Sequence, residues 1–158
     1  MSETQGYKFN HTMLRVKDPK TSLDFYTRVL GMKLVRQLDF AEWKFSLFFV
    51  AYVPEGTTVP EDNEANAHYT FGREAVLELT HNWGTEEQDK TPYHNGNTEP
   101  RGFGHICITV PDIQAACARF EKLNVPFQKK LGQGGMKNIA FIRDPDEYWI
   151  EIVQAGLL

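Results

Sequence analysis

The chain repeats one pattern twice, and this internal duplication limits its fold more than any other feature. His11 opens an apolar run with strand character, and Asp18 follows it seven residues later. His105 and Asp112 repeat this arrangement, and each lies 94 residues after its counterpart. Matching residue types at matching positions in two half-chains predict two copies of one structural unit.

A glutamate set among apolar residues closes each half. Glu78 and Glu151 are 73 residues apart, so the loops of the second half are shorter by 21 residues. In both halves the hydrophobic pattern predicts a strand, a helix and three further strands. We therefore expect an α+β fold of two βαβββ modules, at residues 9–82 and 104–154, joined by a linker at 83–103 within a single domain covering 1–158.

The local signals agree with this plan. Residues 10–16 predict a strand in which His11, Met13 and Arg15 share one face. Asp18 followed by proline is typical of a helix start, and Asp112 predicts the equivalent helix in the second half. Residues 53–67 are polar and are predicted to form a loop.

Composition excludes several classes of protein. A chain of 158 residues fits one domain or two fused modules, and 41% apolar residues can form a sizeable core. A net charge of −4 argues against nucleic acid as a partner. We find no membrane span, no signal peptide and too few cysteines for a disulfide framework. We expect a cytoplasmic protein with no membrane partner.

Two histidines and two glutamates form a candidate metal site. Glu78 and Glu151 each lie within an apolar strand, where an unpaired carboxylate is costly, and buried carboxylates are usually paired or bound to metal. His11 and His105 provide one imidazole to each half. Two nitrogen and two oxygen ligands suit a divalent first-row metal with positions left for water or substrate.

Each residue also has a structural interpretation. A single histidine at a strand end, or a single glutamate on a solvated sheet face, is common. The register of both pairs in two modules favours the metal. Arg15 and Asn82 each lie four residues after a proposed ligand, and Arg101 lies four before one. At about 3.3 Å per residue this places them about 13 Å from the metal, where they suit an elongated anionic ligand.

The other histidines and the cysteine near the site are weaker candidates. His81 has the opposite parity to Glu78, so its side chain should point away from the site. His68 and His94 fall in or beside loops and are expected to be solvated. Cys107 shares the parity of His105, but we expect a small buried side chain there and not a nucleophile.

Longer segments resemble a known enzyme family. They are MLRVKDP (13–19), SLDFY (22–26), LELTHNWG (77–84), PRGFGH (100–105) and YWIEI (148–152). Together they resemble the glyoxalase I (lactoylglutathione lyase) family of the vicinal-oxygen-chelate superfamily, over residues 10–153. The resemblance implies paired βαβββ modules in a homodimer with active sites at the subunit interface.

The resemblance also implies a reaction. Members isomerise the hemithioacetal of methylglyoxal and glutathione to S-lactoylglutathione, which detoxifies methylglyoxal. The isomerisation proceeds by carboxylate-mediated proton transfer through a metal-bound enediolate. His11 and Glu78 of one chain would join His105 and Glu151 of the other. Glu151 matches the catalytic base, and Glu78 would serve the other hemithioacetal enantiomer.

Further residues match glutathione-binding positions of the family. They are Arg15, Asn82, Arg101, Lys129, Met136 and Lys137. The long linker and the loop around Lys137 resemble the zinc-activated subgroup, so Zn²⁺ is expected, with Ni²⁺ or Co²⁺ as alternatives. Animal members carry glutamine in place of His11, and Gly135 replaces a lysine of some relatives.

Three other kinds of protein share this fold. Extradiol dioxygenases and fosfomycin thiol transferases bind their metal through three protein ligands, so a fourth ligand at Glu78 argues against them. A metal-free drug-binding module of the bleomycin-resistance type would have no use for all four ligands.

Overall fold

The computed structural model describes residues 2–157, which divide into two compact units. The first ends at Pro92 and the second begins at Tyr93. The first unit contains β1 (His11–Arg15), α1 (Pro19–Asp24), a π-helical turn (Phe25–Val29), β2 (Lys33–Phe40), β3 (Phe45–Ala51), α2 (Asn63–Phe71), β4 (Val76–Asn82) and a 3₁₀ turn (Thr85–Glu87).

The second unit repeats the strand arrangement of the first. It contains β5 (His105–Thr109), α3 (Ile113–Lys122), β6 (Phe127–Lys129), β7 (Ala140–Arg143) and β8 (Trp149–Val153). The strand orders are β1-β4-β3-β2 and β5-β8-β7-β6, and in each sheet the first pair is parallel and the other pairs are antiparallel. The predicted pair of βαβββ modules is confirmed. The single domain and the exact module and linker limits stay predictions.

The first sheet is buried on one face and only partly open on the other, where Phe49 and Val76 are buried. Leu14 and Leu79 are register partners and are both buried, and α1 packs against β4. Met13, on the alternate face of β1, is 40% exposed. His11 is also exposed and shares this face, because successive strand residues point to opposite sides. The predicted polar face of β1 is therefore partly open in the first unit.

Helix starts follow the predicted capping chemistry. The Asp18 side chain accepts a hydrogen bond from the Lys20 backbone N–H, and Pro19 occupies the first helical position. A hydrogen bond from the Thr21 hydroxyl is the largest cause that lowers the pKa of Asp18. Asp112 caps α3 by accepting from the Ala115 N–H. The predicted first helix differs in one respect, because its second half is a π-helical turn.

The prediction of a loop across residues 53–67 is wrong at its C-terminal end. Helix α2 begins at Asn63, and the Asp62 side chain caps it by accepting from the Ala65 N–H. The polar composition hid this helix, which lacks a strong apolar stripe. Asn66 anchors it through Nδ2, which donates to the carbonyls of Val35 and Pro60 at 2.8 and 2.9 Å.

Within residues 2–157, no helix has the length and apolarity needed to cross a bilayer.

Candidate metal centre and active site

The first unit brings His11 and Glu78 together on its partly open sheet face. β1 and β4 are parallel neighbours, and the register places Glu78 beside Met13, two residues from His11. His11 Nε2 lies 3.0 Å from Glu78 Oε2. The glutamate side chain is 13% exposed and the histidine 35%, so the pair is partly desolvated but accessible.

The second unit repeats this pair. Glu151 lies beside Cys107 in the parallel register of β5 and β8, two residues from His105. His105 Nε2 lies 3.2 Å from Glu151 Oε2, and both side chains are somewhat more exposed than those of the first pair. The sequence correctly paired each histidine with the glutamate of its own half.

The donor atoms fit a divalent metal. Metal–ligand bonds of about 2.1 Å separate neighbouring donors by about 3.0 Å at a right angle and about 3.4 Å at the tetrahedral angle. The observed separations, 3.0 and 3.2 Å, are close to the right-angle value. Imidazole nitrogen and carboxylate oxygen suit zinc, nickel and cobalt alike. Each unit thus holds one nitrogen and one oxygen donor at a separation that suits binding to the same cation.

No fuller cluster exists within the described chain. Residues 2–157 contain no group of three or more His, Cys, Asp or Glu side chains able to hold a metal. Within these residues, each His–Glu pair is therefore a group of two potential donors.

An aromatic ring completes each pair, which the sequence analysis did not identify. Phe49 is the β3 register partner of Glu78, and Phe141 is the β7 partner of Glu151. Phe49 lies edge-on to His11 with ring centroids 5.9 Å apart, and Phe141 lies edge-on to His105 at 5.1 Å. The duplication therefore covers histidine, glutamate and phenylalanine on three strands. The sequence alone does not give the cross-strand register that places each phenylalanine beside its glutamate.

The two glutamates differ in their support. The Thr80 hydroxyl donates to Glu78 Oε1 at 3.1 Å, so both carboxylate oxygens of Glu78 have a neighbour. Val153 holds the position in β8 that corresponds to Thr80, and it carries no hydroxyl. Glu151 instead has the Cys107 thiol as a hydrogen-bonding neighbour, which is a weaker partner.

Cys107 differs from its prediction in exposure but not in chemistry. As a residue it is exposed and not buried as expected, although its sulfur atom is partly shielded from water. Burial of the sulfur atom, followed by the negative charge of Glu151 and their hydrogen bond, raises the pKa of Cys107 to about 11. The thiol is therefore neutral near pH 7, when a nucleophile would need to be a thiolate.

The predicted anion-binding residues of the first unit share the face of its His–Glu pair. Arg15 lies four residues after His11 in β1, and Asn82 lies four residues after Glu78 in β4. An even spacing along a strand keeps both side chains on one face. Because β1 and β4 are parallel, both side chains lie toward the same end of the sheet.

In the second unit the other predicted substrate-binding residues lie in loops, except Lys129 at the end of β6. Arg101 precedes β5, is exposed, and contacts Glu99 with 3.1 Å between Nε and Oε1. Lys129 Nζ donates to the carbonyls of Met136 and Ile139 at 2.6 and 2.7 Å. Lys129 therefore ties down the loop that carries Met136 and Lys137, whose side chains are exposed.

The remaining histidines lie apart from the pairs. His81 is buried on the opposite face from Glu78, and its Nε2 lies 2.6 Å from Glu86 Oε2. His68 is an exposed residue of α2 and not of a loop. His94 is exposed and bonds locally with Gly96 and Thr98.

Comparisons with known proteins agree with these features. The model of the Glyoxalase/Bleomycin resistance protein/Dioxygenase superfamily matches residues 8–152. The lactoylglutathione lyase of Pseudomonas aeruginosa is 65% identical over 154 residues, which are 98% of this chain and 86% of that protein. The lactoylglutathione lyase of Pseudomonas putida is 59% identical over 96% of this chain and 87% of its own length.

Among solved structures, the trypanothione-dependent glyoxalase I of Leishmania major superposes with a TM-score of 0.67. It is 34% identical, with 94% of this chain and 86% of that chain covered. A family model that spans most of the chain, relatives of high identity and two His–Glu pairs in equivalent positions lead to one assignment. The chain belongs to the glyoxalase/bleomycin resistance protein/dioxygenase superfamily and, within it, to the glyoxalase I (lactoylglutathione lyase) family.

Proposed function

We propose that this protein is a metal-dependent glyoxalase I that isomerises the hemithioacetal of methylglyoxal and glutathione to S-lactoylglutathione. The observation that carries the proposal is the repeated His–Glu pair, with nitrogen–oxygen separations of 3.0 and 3.2 Å in the two units. Its relatives carry the name of this activity. The rival functions of the fold have no use for four such donors.

The metal ligands in this proposal are His11, Glu78, His105 and Glu151. Glyoxalase I enzymes use a divalent metal. When bound, such a cation supplies Lewis-acid stabilisation of the negative charge that develops on the substrate oxygens. We propose zinc for this chain, with nickel or cobalt as alternatives that the same donor atoms accept.

Glu151 is the proposed proton carrier. The reaction moves a proton from the carbon that carries sulfur to the neighbouring carbonyl carbon, and the adjacent carbonyl acidifies that proton. A carboxylate that transfers it has to accept and return the proton within one site. Glu151 has a weaker hydrogen-bonding neighbour than Glu78, which Thr80 supports. It is therefore freer to move, and Glu78 is better suited to remain a ligand.

Glutathione carries carboxylates and amides, which the flanking residues can bind. Arg15 and Asn82 lie on the face of the first pair, about 13 Å from the ligand in the same strand. Arg101 has an exposed pairing with Glu99, which contributes little stability and is readily exchanged for a substrate carboxylate. Lys129 orders the loop of Met136 and Lys137, and it has a third N–H donor left for the ligand.

We further propose a homodimer in which His11 and Glu78 of one copy share a metal with His105 and Glu151 of the other. Two donors per unit, each on a side chain that is still partly exposed, support this arrangement. A symmetric dimer would then contain two complete sites.

Subunit complementation tests the function and the dimer together. His11→Ala and His105→Ala chains are purified separately, denatured, mixed and refolded with Zn²⁺. Thioester formation from methylglyoxal and glutathione is then followed in the ultraviolet. Each variant alone should be nearly inactive. An equal mixture should recover about a quarter of wild-type activity, because half of the dimers are mixed and each has one intact site.

Two results would contradict the proposal. If the wild-type protein forms no thioester at any concentration of Zn²⁺, Ni²⁺ or Co²⁺, the proposed function would be contradicted. If the wild-type protein is active but the mixture of variants stays inactive, the proposed function would stand and the site shared between subunits would be contradicted. Light scattering on the same samples reports whether mixed dimers formed.

A further inference from the structure

Asn10 contacts the ring nitrogen of His11 that does not face Glu78. Asn10 Oδ1 lies 2.6 Å from His11 Nδ1. Asn10 is partly buried, and its backbone carbonyl accepts the Val76 N–H, which fixes the residue at the end of the β1–β4 pairing. The contact therefore joins a constrained side chain to a proposed metal ligand.

The orientation of the Asn10 amide follows from its other partners. Asn10 Nδ2 lies 3.0 Å from the Thr70 carbonyl and 2.8 Å from the Arg73 carbonyl. Carbonyl oxygens only accept hydrogen bonds, so the amide NH₂ has to face them and Oδ1 has to face the histidine. An amide oxygen is also only an acceptor. The proton of this bond therefore belongs to His11 Nδ1.

This assignment decides what the other ring nitrogen can do. A neutral imidazole carries one N–H, so a proton on Nδ1 leaves a lone pair on Nε2. Nε2 is the atom 3.0 Å from Glu78 Oε2. Two acceptor atoms at this separation repel each other unless a cation lies between them. The Asn10 contact thus prepares His11 to bind a metal.

The support comes from an element that only the first unit has. Thr70 lies in the last turn of α2, whose C-terminal carbonyls lack partners within the helix. Asn10 binds one of these carbonyls, so α2 holds Asn10 and Asn10 holds His11. In the second unit the corresponding position is Gly104, and no described group bonds Nδ1 of His105.

We propose that Asn10 is a positioning residue that fixes the Nδ1–H tautomer of His11 and so sets the metal affinity of the first half-site. The inference rests on the proposed function, because it takes His11 as a metal ligand. Partners of this kind typically change metal affinity by about 10–100-fold. Asn10 itself touches neither the metal nor the substrate.

The direct test is nitrogen-15 NMR of the histidine side chains in metal-free protein at about pH 8.5, where free imidazole is neutral. Wild-type His11 should show a protonated Nδ1 and an unprotonated Nε2. His105 should show a mixture of tautomers in the same spectrum. A wild-type His11 protonated mainly at Nε2 would overturn the proposal, whatever the protein does with metal.

Two variants separate positioning from general structural support. Asn10→Ala loses the acceptor and both donors, whereas Asn10→Asp keeps the acceptor for His11 and loses the donors to Thr70 and Arg73. Asn10→Ala should bind Zn²⁺ 10–100-fold more weakly in chelator competition, and Asn10→Asp should keep the tautomer and an affinity near wild type. A purely structural role would weaken both variants equally, and that result would contradict the proposal.

Asn95→Ala is the matched control, because it removes an asparagine amide bond to the Glu147 carbonyl in the second unit. Its Zn²⁺ affinity should be unchanged. If Asn10→Ala does not fold, the wild-type spectrum and Asn10→Asp still decide the matter. Wild-type protein that binds no metal would count against the proposed function, and the tautomer measurement would remain valid.

Discussion

The two half-sites have the same donors but different support. In the first, Asn10 contacts His11 and Thr80 contacts Glu78, so both ligands have a second polar partner. In the second, Gly104 and Val153 occupy the corresponding positions and offer neither contact. Duplication has kept the proposed metal donors, and the residues that contact those donors have diverged.

This difference suggests a division of labour between the halves. A ligand held by a second hydrogen bond keeps its orientation, which favours metal retention. A ligand without that bond can rotate and accept a proton. The first half-site is therefore suited to holding the cation and the second to proton transfer, and each prediction below tests that contrast.

The largest difference is expected between the two glutamates. Glu151→Gln should lower kcat by about 10³-fold, because it removes the general base. It should still bind metal. Glu78→Gln should mainly weaken metal binding, and saturating Zn²⁺ should restore much of kcat. Steady-state kinetics across a Zn²⁺ titration measures kcat and the metal dependence of each variant. Equal losses of kcat in the two variants at saturating metal would contradict different roles for the two halves.

Exchanging the residue types at Thr80 and Val153, which hold corresponding positions in β4 and β8, should have a smaller effect. Val153→Thr would give Glu151 a hydroxyl donor, and a hydrogen bond to a charged group is worth about 1.5 kcal/mol or more. That should restrain the Glu151 carboxylate and lower kcat about tenfold.

The reciprocal change, Thr80→Val, should weaken Zn²⁺ binding about tenfold with kcat at saturating metal almost unchanged. Thermal unfolding of both variants controls for their buried positions. A loss of kcat in Thr80→Val that exceeds the loss in Val153→Thr would reverse our assignment.

Cys107 reports the charge of Glu151. Burial first, and then Glu151, raises the pKa of Cys107 to about 11, so the thiol loses its proton only at high pH. In metal-free wild-type protein, alkylation of Cys107 should rise with pH through pH 9 without a plateau. Glu151→Gln should lower this pKa and speed alkylation several-fold at pH 9, since the charge is gone but the burial remains. Mass spectrometry of the modified peptide separates Cys107 from Cys117, and identical rates in both proteins would refute the contact.

The smallest effect concerns the helix found only in the first unit. Asp62→Ala removes the N-cap of α2 and should cost about 1 kcal/mol, or roughly 2–4 °C in Tm. Asp112→Ala removes the N-cap of α3 and should cost a similar amount. Only Asp62→Ala should also weaken Zn²⁺ binding slightly, because α2 holds Asn10. Equal Zn²⁺ affinities would show that α2 does not support the first half-site.

The strand periodicity of the sequence was enough to find the face that carries the proposed donors. Side chains alternate along a strand, so residue numbers alone placed His11 with Arg15, and Glu78 with Asn82. The N-caps at Asp18 and Asp112 were equally accessible, because a cap contacts backbone only two or three residues away. Such features depend on nearby chain and can be read without the fold.

The support of the ligands depended on distant chain. Asn10 and Thr70 are 60 residues apart, and Phe49 meets Glu78 only through the register of β3 with β4. Neither contact leaves a periodic signal, and α2 itself was hidden by its polar composition. The sequence by itself determined the repeated histidine and glutamate and the strands that carry them. The tertiary structure decided which pair is supported, because hydrogen bonds between remote segments exist only after the elements have packed.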